Sequence, residues 1–164
     1  SEMFIRDRIQ PDFTDYYKRI RTKFNIPENF ITLEFTESFA YEDYDYLARI
    51  IAELHKAGFL CSLDDFGTGY SSYNVLKTLE MDEIKLDKFF LGKGTSFERD
   101  QLLLSSTIDV IKKMGVKVTQ EGVETKEDYD RLKALGCDVI QGFYFSRPMK
   151  YVDYRKFVKE NFAK

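Results

Sequence analysis

Residues 58–69 read G-F-L-C-S-L-D-D-F-G-T-G, and the order of residue types in this segment indicates the fold class. A glycine ends a helical segment, a short apolar run follows, and two aspartates stand where that run ends. Glycine suits the left-handed residue that closes a helix, and a short apolar run bounded by turn residues is typical of a buried strand. The same order of a glycine, a short apolar run and a polar residue recurs at residues 115–121, which end in Glu121, and at residues 136–141, which end in Gln141. The chain is therefore predicted to repeat a helix–strand unit.

Outside that stretch, helical and strand patterns alternate along all 164 residues. Runs of apolar, β-branched and aromatic residues predict five strands, at residues 30–36, 59–63, 83–86, 116–120 and 138–145. Alternation of this kind favours parallel strands joined by right-handed helical crossovers. A closed eight-stranded barrel takes ~200 residues or more, so roughly three strands are lacking. The predicted fold class is α/β, a (β/α)8 TIM-barrel-like fold that is incomplete in this chain, with its N-terminal strands missing.

The composition excludes some classes of protein and partner. The 25 basic and 28 acidic side chains leave a net charge of −3, which is no footprint for duplex nucleic acid, although a small phosphorylated ligand remains open. No apolar run approaches the ~20 residues of a membrane span, and no signal peptide is visible, so we expect a cytoplasmic protein. Cys61 and Cys137 are expected to be buried thiols of a reducing compartment. His55 is expected to be a partly exposed side chain without a catalytic role.

Polar side chains stand where the predicted strands end. They are Glu34 with Glu37, Asp64 with Asp65, Lys85 with Asp87, Glu121 with Glu124, and Gln141. A parallel barrel would gather them at the rim where barrel enzymes place their chemistry. Clustered carboxylates repel each other unless cations intervene, and oxygen ligands favour Mg²⁺ or Mn²⁺. Two such ions suit phosphodiester hydrolysis, and Lys85 could neutralise phosphoryl charge or orient the attacking water.

Each of these residues also has an ordinary structural explanation. An Asp-Asp pair such as Asp64 and Asp65 is typical of a turn or a helix cap. Lys85 could extend its ammonium to solvent from an apolar strand, and Phe143 and Tyr144 favour packing over base stacking. The recurrence at successive strand ends is what favours a site over these separate explanations.

Five motifs resemble the EAL family. They are L-E-F-T-E-S at 33–38, D-D-F-G-T-G-Y-S-S at 64–72, K-L-D at 85–87, Q-E-G-V-E-T at 120–125 and Q-G-F-Y-F-S-R-P at 141–148. They follow the family's order, cover nearly the whole chain, and the second is the most specific. The resemblance implies a cyclic di-GMP phosphodiesterase that uses Mg²⁺ or Mn²⁺ in a two-metal site and releases linear pGpG.

The resemblance also implies a role for each site residue. The implied metal ligands are Glu34, Asp64 as the bridging carboxylate, Asp65 and Glu121, which is also the proposed general base. Lys85 resembles the lysine that contacts the attacking water, and Asp87 stands beside it. Glu37 resembles the glutamate that holds the D-F-G-T-G loop, and Gln141 the glutamine at the rim of the site.

Three departures from the family pattern stand out. The Glu-Ala-Leu motif is absent, and so is an asparagine ligand that would lie just before the serine represented by Ser1. Gln120 replaces the small residue usual before E-G-V-E-T, a change expected to be tolerated. Residues 1–164 are therefore expected to be a partial EAL domain without its upstream strands and without any sensory or cyclase domain.

Two alternatives to the enzyme remain at this point. One is a catalytically inactive EAL-like receptor for cyclic di-GMP or a protein-interaction module, which retention of Glu34, Asp64 and Glu121 argues against. The other is a different Mg²⁺ barrel enzyme, such as an enolase-like one, which leaves the D-D-F-G-T-G-Y-S-S loop unexplained. Family-level expectations are a homodimer, fused or partner sensory domains, and a parent protein that can be anchored to a membrane.

Overall fold

The computed structural model describes residues 13–40, 44–68, 72–92 and 97–162. Strands alternate with helices along these residues, which confirms the prediction of five β/α units. The elements in chain order are α1 (Phe13–Lys23), β1 (Thr32–Thr36), α2 (Glu37–Ala40), α3 (Tyr44–Lys56), β2 (Leu60–Phe66), α4 (Ser72–Thr78), β3 (Glu83–Leu86), a 3-10 helix (Lys88–Leu91), α5 (Phe97–Lys113), β4 (Lys117–Gln120), α6 (Lys126–Ala134), β5 (Val139–Ile140) and α7 (Tyr151–Phe162).

The five strands form one parallel sheet in the order β1-β2-β3-β4-β5. Among the described residues, β1 pairs only with β2 and β5 only with β4, so the sheet is open at both edges. The last strand is shorter than the predicted run of 138–145. It ends because the backbone turns, with Tyr144 N donating to Val123 O at 2.9 Å and Phe145 N to Gly142 O at 3.2 Å.

The glycine-terminated repeat is confirmed in three units. Gly58, Gly115 and Gly136 have φ angles of 76°, 79° and 75°, in the left-handed region that glycine adopts without strain. In each unit the amide of the residue after the glycine donates to a carbonyl five residues back, as Phe59 N does to Leu54 O at 3.0 Å. This bond satisfies a carbonyl at the helix end, and the chain then turns directly into the next strand.

The two faces of the sheet differ in chemistry. One row of register partners, Phe35, Leu63, Ile84 and Val118, is almost fully buried and packs in one cluster with the inner sides of α3 and α5. Because side chains alternate along a strand, the next row points to the opposite face, and it reads Glu34, Ser62, Glu83 and Lys117. The helices therefore cover an apolar face, while the polar face carries the candidate site.

Both cysteines are unpaired, but they differ in burial. Cys61 is fully buried, and burial followed by the charge of Asp82 raises the pKa of its thiol to about 12. Cys137 is only half-buried, so the expectation of two buried thiols is confirmed for Cys61 and wrong for Cys137. Cys137 lies in the turn before β5, the edge strand of the sheet, where part of the residue remains exposed to solvent. In the part of the chain that the structure describes, no helix combines the length and apolar character needed to cross a membrane.

Candidate active site

Lys85 is the centre of the site. It lies on β3 among apolar neighbours, and only 9% of the residue is exposed. Its ammonium Nζ lies 3.2 Å from Glu34 Oε1, 3.1 Å from Asp64 Oδ1 and 2.8 Å from Glu121 Oε1. These carboxylates come from β1, β2 and the residue that follows β4, so four successive strands supply the cluster. Parallel strands bring their carboxyl ends to one edge, which explains how residues far apart in sequence meet here.

The electrostatics of this cluster favour cation binding. Burial opposes the charge on Lys85, but hydrogen bonds to Glu121 and then Asp64 outweigh it, so the pKa of the ammonium is raised. Three carboxylates against one ammonium leave a local formal charge of 3 − 1 = 2 negative units. All the negative groups are oxygen donors, as hard divalent cations prefer, and about half of the Glu34 side chain is exposed to the open face. The residues present therefore fit a divalent metal site.

Asp65 sits in a local distortion of β2. The pairing of β2 with β3 shifts register between Leu63 and Phe66, which is a β-bulge. Asp65 has a φ of 57°, its side chain is exposed, and its amide donates to Asp64 Oδ1 at 3.1 Å. Aspartate is one of the few residues that tolerate this left-handed conformation, and bulges next to a site re-aim side chains. Because Leu63 pairs with Ile84 and Phe66 with Leu86, the bulge sets two residues, Asp64 and Asp65, opposite Lys85 alone.

Glu37 binds the start of the loop that follows Asp65. It is the first residue of α2, directly after β1, and it is almost fully buried. Gly67 N donates to Glu37 Oε2 at 3.0 Å. Gly67 has a φ of 98°, and a Cβ at this position would overlap the ring of Phe90, which stacks against Phe66. The loop is thus held between a carboxylate and an aromatic ring; residues 69–71 of the predicted motif lie outside the described residues.

Asp87 and Gln141 lie at the same edge but are not in the Lys85 cluster. The Asp87 carboxylate accepts from Phe89 N at 2.8 Å and caps the 3-10 helix. Gln141 has an exposed side chain, while its backbone amide donates to Gln120 O at 2.9 Å and its carbonyl accepts from Val123 N. Asp87 therefore shapes the turn after β3, and Gln141 marks the rim next to β5.

Gln120 and Phe90 contact the site, although neither was among the predicted site residues. Gln120 is fully buried, and its amide Nε2 donates to the carbonyls of Leu86, Asp87 and Glu121. The ring of Phe90 lies against the backbone of Gly67. No sequence pattern could identify Phe90, whereas a glutamine immediately before Glu121, in place of a small residue, was a visible signal for Gln120.

His55 is partly exposed, as expected, and it has a structural partner. Its Nε2 lies 2.9 Å from Asp82 Oδ2, the oxygen that also accepts from Cys61 N at 2.7 Å. His55, Cys61 and Asp82 are the one described group whose possible ligand atoms lie within 4.8 Å of one another.

This group lies at the amino ends of the strands, opposite the Lys85 cluster. The same arrangement recurs at Asp138, which accepts from Val118 N at 2.9 Å and pairs with Lys112 at 2.6 Å. In this second group a lysine replaces the histidine and a valine replaces the cysteine, so the arrangement does not depend on metal-binding side chains. In both units an aspartate before one strand binds the second residue of another strand and a basic side chain of a preceding helix. Its recurrence makes it a device that fixes strand ends.

Comparison with known proteins agrees with this geometry. The family model described as "EAL domain" matches residues 7–148. The probable cyclic di-GMP phosphodiesterase PdeG of Escherichia coli is 35% identical over 150 residues, which are 92% of this chain and 30% of that protein. The chain thus spans about a third of the length of this relative.

Solved structures of EAL proteins resemble most of the chain. The EAL domain of Mycobacterium smegmatis DcpA superposes with a TM-score of 0.84 at 30% identity, covering 93% of this chain and 68% of that one. The manganese and cyclic di-GMP complex of Klebsiella pneumoniae BlrP1 gives a TM-score of 0.78 at 28% identity, covering 86% of this chain and 36% of that one.

Proposed function

The chain belongs to the EAL domain family, and from this premise we propose that it carries the active site of a metal-dependent phosphodiesterase that hydrolyses cyclic di-GMP to linear pGpG. The observation that carries the proposal is the contact of Lys85 with three carboxylates from three other chain segments. A relative named for this activity, PdeG, and the BlrP1 complex with manganese and cyclic di-GMP support it.

We assign the metal ligands to the carboxylates of Glu34, Asp64, Asp65 and Glu121. Divalent cations, Mg²⁺ or Mn²⁺, supply charge neutralisation at the phosphoryl group and make water more acidic. The net negative charge of the cluster and its oxygen donors support this assignment. The buried ammonium of Lys85 keeps three of these carboxylates, those of Glu34, Asp64 and Glu121, close together, so less rearrangement is needed when cations bind.

Lys85 and Glu121 have different roles in the proposed reaction. Lys85 holds an anionic phosphoryl oxygen or the attacking water, because its ammonium stays charged and is fixed by its neighbours. A carboxylate oxygen of Glu121 accepts the proton of the water. The water oxygen bonds to phosphorus, the bond from phosphorus to the 3′ oxygen breaks, and that oxygen takes a proton from solvent.

Glu37 and the ring of Phe90 hold the loop that carries Asp65, and Asp87 and Gln141 border the substrate at the rim. This assignment rests on the hydrogen bond from Gly67 N to Glu37 and on the position of Gln141 beside β5. We further propose a cytoplasmic setting, fused or partner sensory domains and a homodimer, as for an EAL module that turns over a second messenger.

Product analysis tests the proposal. The whole protein is incubated with cyclic di-GMP in Mg²⁺, in Mn²⁺ and in excess chelator, and the nucleotides are separated by chromatography. We expect pGpG with either cation and none with chelator. Unchanged cyclic di-GMP that nevertheless binds to the protein would indicate the receptor alternative, and full turnover in chelator would exclude the metal assignment.

A further inference from the structure

Gln120 makes contacts that no other described side chain makes at this edge of the sheet. It is the last residue of β4 and the register partner of Leu86, so it points to the helix-covered face and away from the open polar face. It is 0% exposed. Its Nε2 lies 3.1 Å from Leu86 O, 3.1 Å from Asp87 O and 2.9 Å from Glu121 O, so its two N–H bonds are shared among three carbonyl oxygens.

These three carbonyls belong to the strand ends that carry the site. Leu86 and Asp87 directly follow Lys85 on β3, and Glu121 directly follows Gln120 itself. The last ladder bond between the two strands, from Glu121 N to Leu86 O at 3.0 Å, ends on one of the same carbonyls. The Gln120 amide thus binds the carbonyls at the ends of β3 and β4 from the helix-covered face, where the hydrogen bonds between these two strands stop.

The other end of the Gln120 amide is unsatisfied. Its Oε1 is buried and has no hydrogen-bond partner among the described residues. An unpaired buried acceptor destabilises the folded state, and an apolar side chain of similar size would avoid this penalty. Therefore only the N–H groups of Nε2, which bind the three carbonyls, favour glutamine over an apolar side chain at this position.

We infer that Gln120 is a positioning residue, which fixes the separation of Lys85 and Glu121 by binding the carbonyls at the ends of β3 and β4. The inference rests on the proposed function, since it assigns a role in that same site. It revises the expectation that glutamine at this position is merely tolerated. Groups that orient ligands and catalytic side chains from behind typically change metal affinity or activity about 10–100-fold when removed.

Asp138, which precedes β5, provides a matched control because its carboxylate binds the strand that carries Gln120. Its carboxylate binds Val118 N near the amino end of β4, so Asp138→Asn loosens β4 at the end remote from Lys85 and Glu121. Gln120→Met keeps the length of the side chain but cannot donate, and Gln120→Ala is a second variant should methionine prevent folding. All are made in the whole protein.

Two readouts separate positioning from general stability. The first is amide hydrogen exchange at Glu121 in the metal-free protein, and the second is kcat and KM for cyclic di-GMP in Mn²⁺, with the Mn²⁺ dissociation constant. For Gln120→Met we expect faster exchange at Glu121 and a kcat about 10–100-fold lower with little change in KM. For Asp138→Asn we expect exchange at Glu121 and kcat near wild type.

The outcomes are distinct. Gln120→Met with wild-type kcat and wild-type exchange at Glu121 overturns the inference, as does an equal loss of kcat in Asp138→Asn, which would make the effect one of stability. If wild-type protein does not hydrolyse cyclic di-GMP, the proposed function fails. If wild-type protein is active and only the Gln120 result fails, the proposed function stands.

Discussion

Nζ of Lys85 lies 2.8 Å from Oε1 of Glu121, across the ends of two adjacent parallel strands. The same ammonium reaches Glu34 and Asp64, so one cation holds three carboxylates from separate β/α units. The carboxylates would repel each other without it, because the site concentrates negative charge on the open face of the sheet. Lys85 thus acts as an internal counter-ion for the cluster that we assign to divalent cations.

Replacing Lys85 by methionine tests this counter-ion role. We expect Lys85→Met to lower the free energy of unfolding of the metal-free protein by about 2 kcal/mol, since charge-assisted hydrogen bonds are lost and the carboxylates repel. Mn²⁺ should restore part of that loss because a bound cation stabilises the folded state. Thermal unfolding with and without Mn²⁺ measures both effects.

Lys117→Met is the matched control for that experiment. Lys117 lies on the same face and pairs with Glu83 at 3.3 Å, but half of its side chain is exposed. An exposed pair contributes about 0–1 kcal/mol, so the control should lose little stability, and its difference from wild type should not change when Mn²⁺ is added, because its proposed metal ligands are intact. Equal losses in the two variants, both insensitive to Mn²⁺, would contradict the counter-ion role.

The loop anchor predicts a separate phenotype for Glu37. Glu37→Ala removes the acceptor of Gly67 N and should weaken Mn²⁺ binding and slow turnover while the fold is retained. Isothermal titration with Mn²⁺, kcat and circular dichroism of the whole protein measure the three properties.

Glu37→Gln keeps an acceptor oxygen for the Gly67 amide and should fall between wild type and Glu37→Ala. Wild-type turnover and Mn²⁺ affinity in Glu37→Ala would show that the loop does not depend on this carboxylate.

Asp138 predicts a pH-dependent stability with a defined sign. Burial opposes its charge, but Lys112 and the Val118 amide outweigh burial and lower its pKa from 3.8. A carboxyl whose pKa is lower in the folded state stabilises the protein above its unfolded pKa, and this is lost as pH falls through the folded pKa. Asp138→Asn should therefore cost about 1 kcal/mol of unfolding free energy at pH 7 and progressively less below pH ~3.8.

Urea unfolding of wild type and Asp138→Asn at pH 7 and pH 3 measures this difference. The matched control is Asp130→Asn, because Asp130 is exposed and pairs only with its helical neighbour Lys126 among the described ion pairs. A stability difference between wild type and Asp138→Asn that is the same at both pH values would exclude an ionised Asp138 as its source.

The sequence predicted the fold well because hydrophobic runs and helix-ending glycines are local signals. The location of Glu34, Asp64, Lys85 and Glu121 at one edge followed from the parallel order of the strands. The bulge at Asp65 could not be predicted, because it depends on how β2 pairs with β3.

The role of Gln120 was hidden for a similar reason. Its side chain points to the helices only because Gln120 is in register with Leu86, and register is a tertiary property. The structural partner of His55 could likewise not be predicted, because Asp82 lies 27 residues away in sequence.

The most direct test of a metal-dependent active site at Asp64 compares wild type with Asp64→Asn in the whole protein. Asp64 contacts Lys85 at 3.1 Å and is the proposed bridging ligand, and an amide of the same size cannot supply its negative charge. The measurement is the rate of pGpG formation from cyclic di-GMP in saturating Mn²⁺, with folding checked by circular dichroism. We expect turnover in wild type and none in folded Asp64→Asn, and wild-type turnover in Asp64→Asn would contradict the proposed metal-dependent active site.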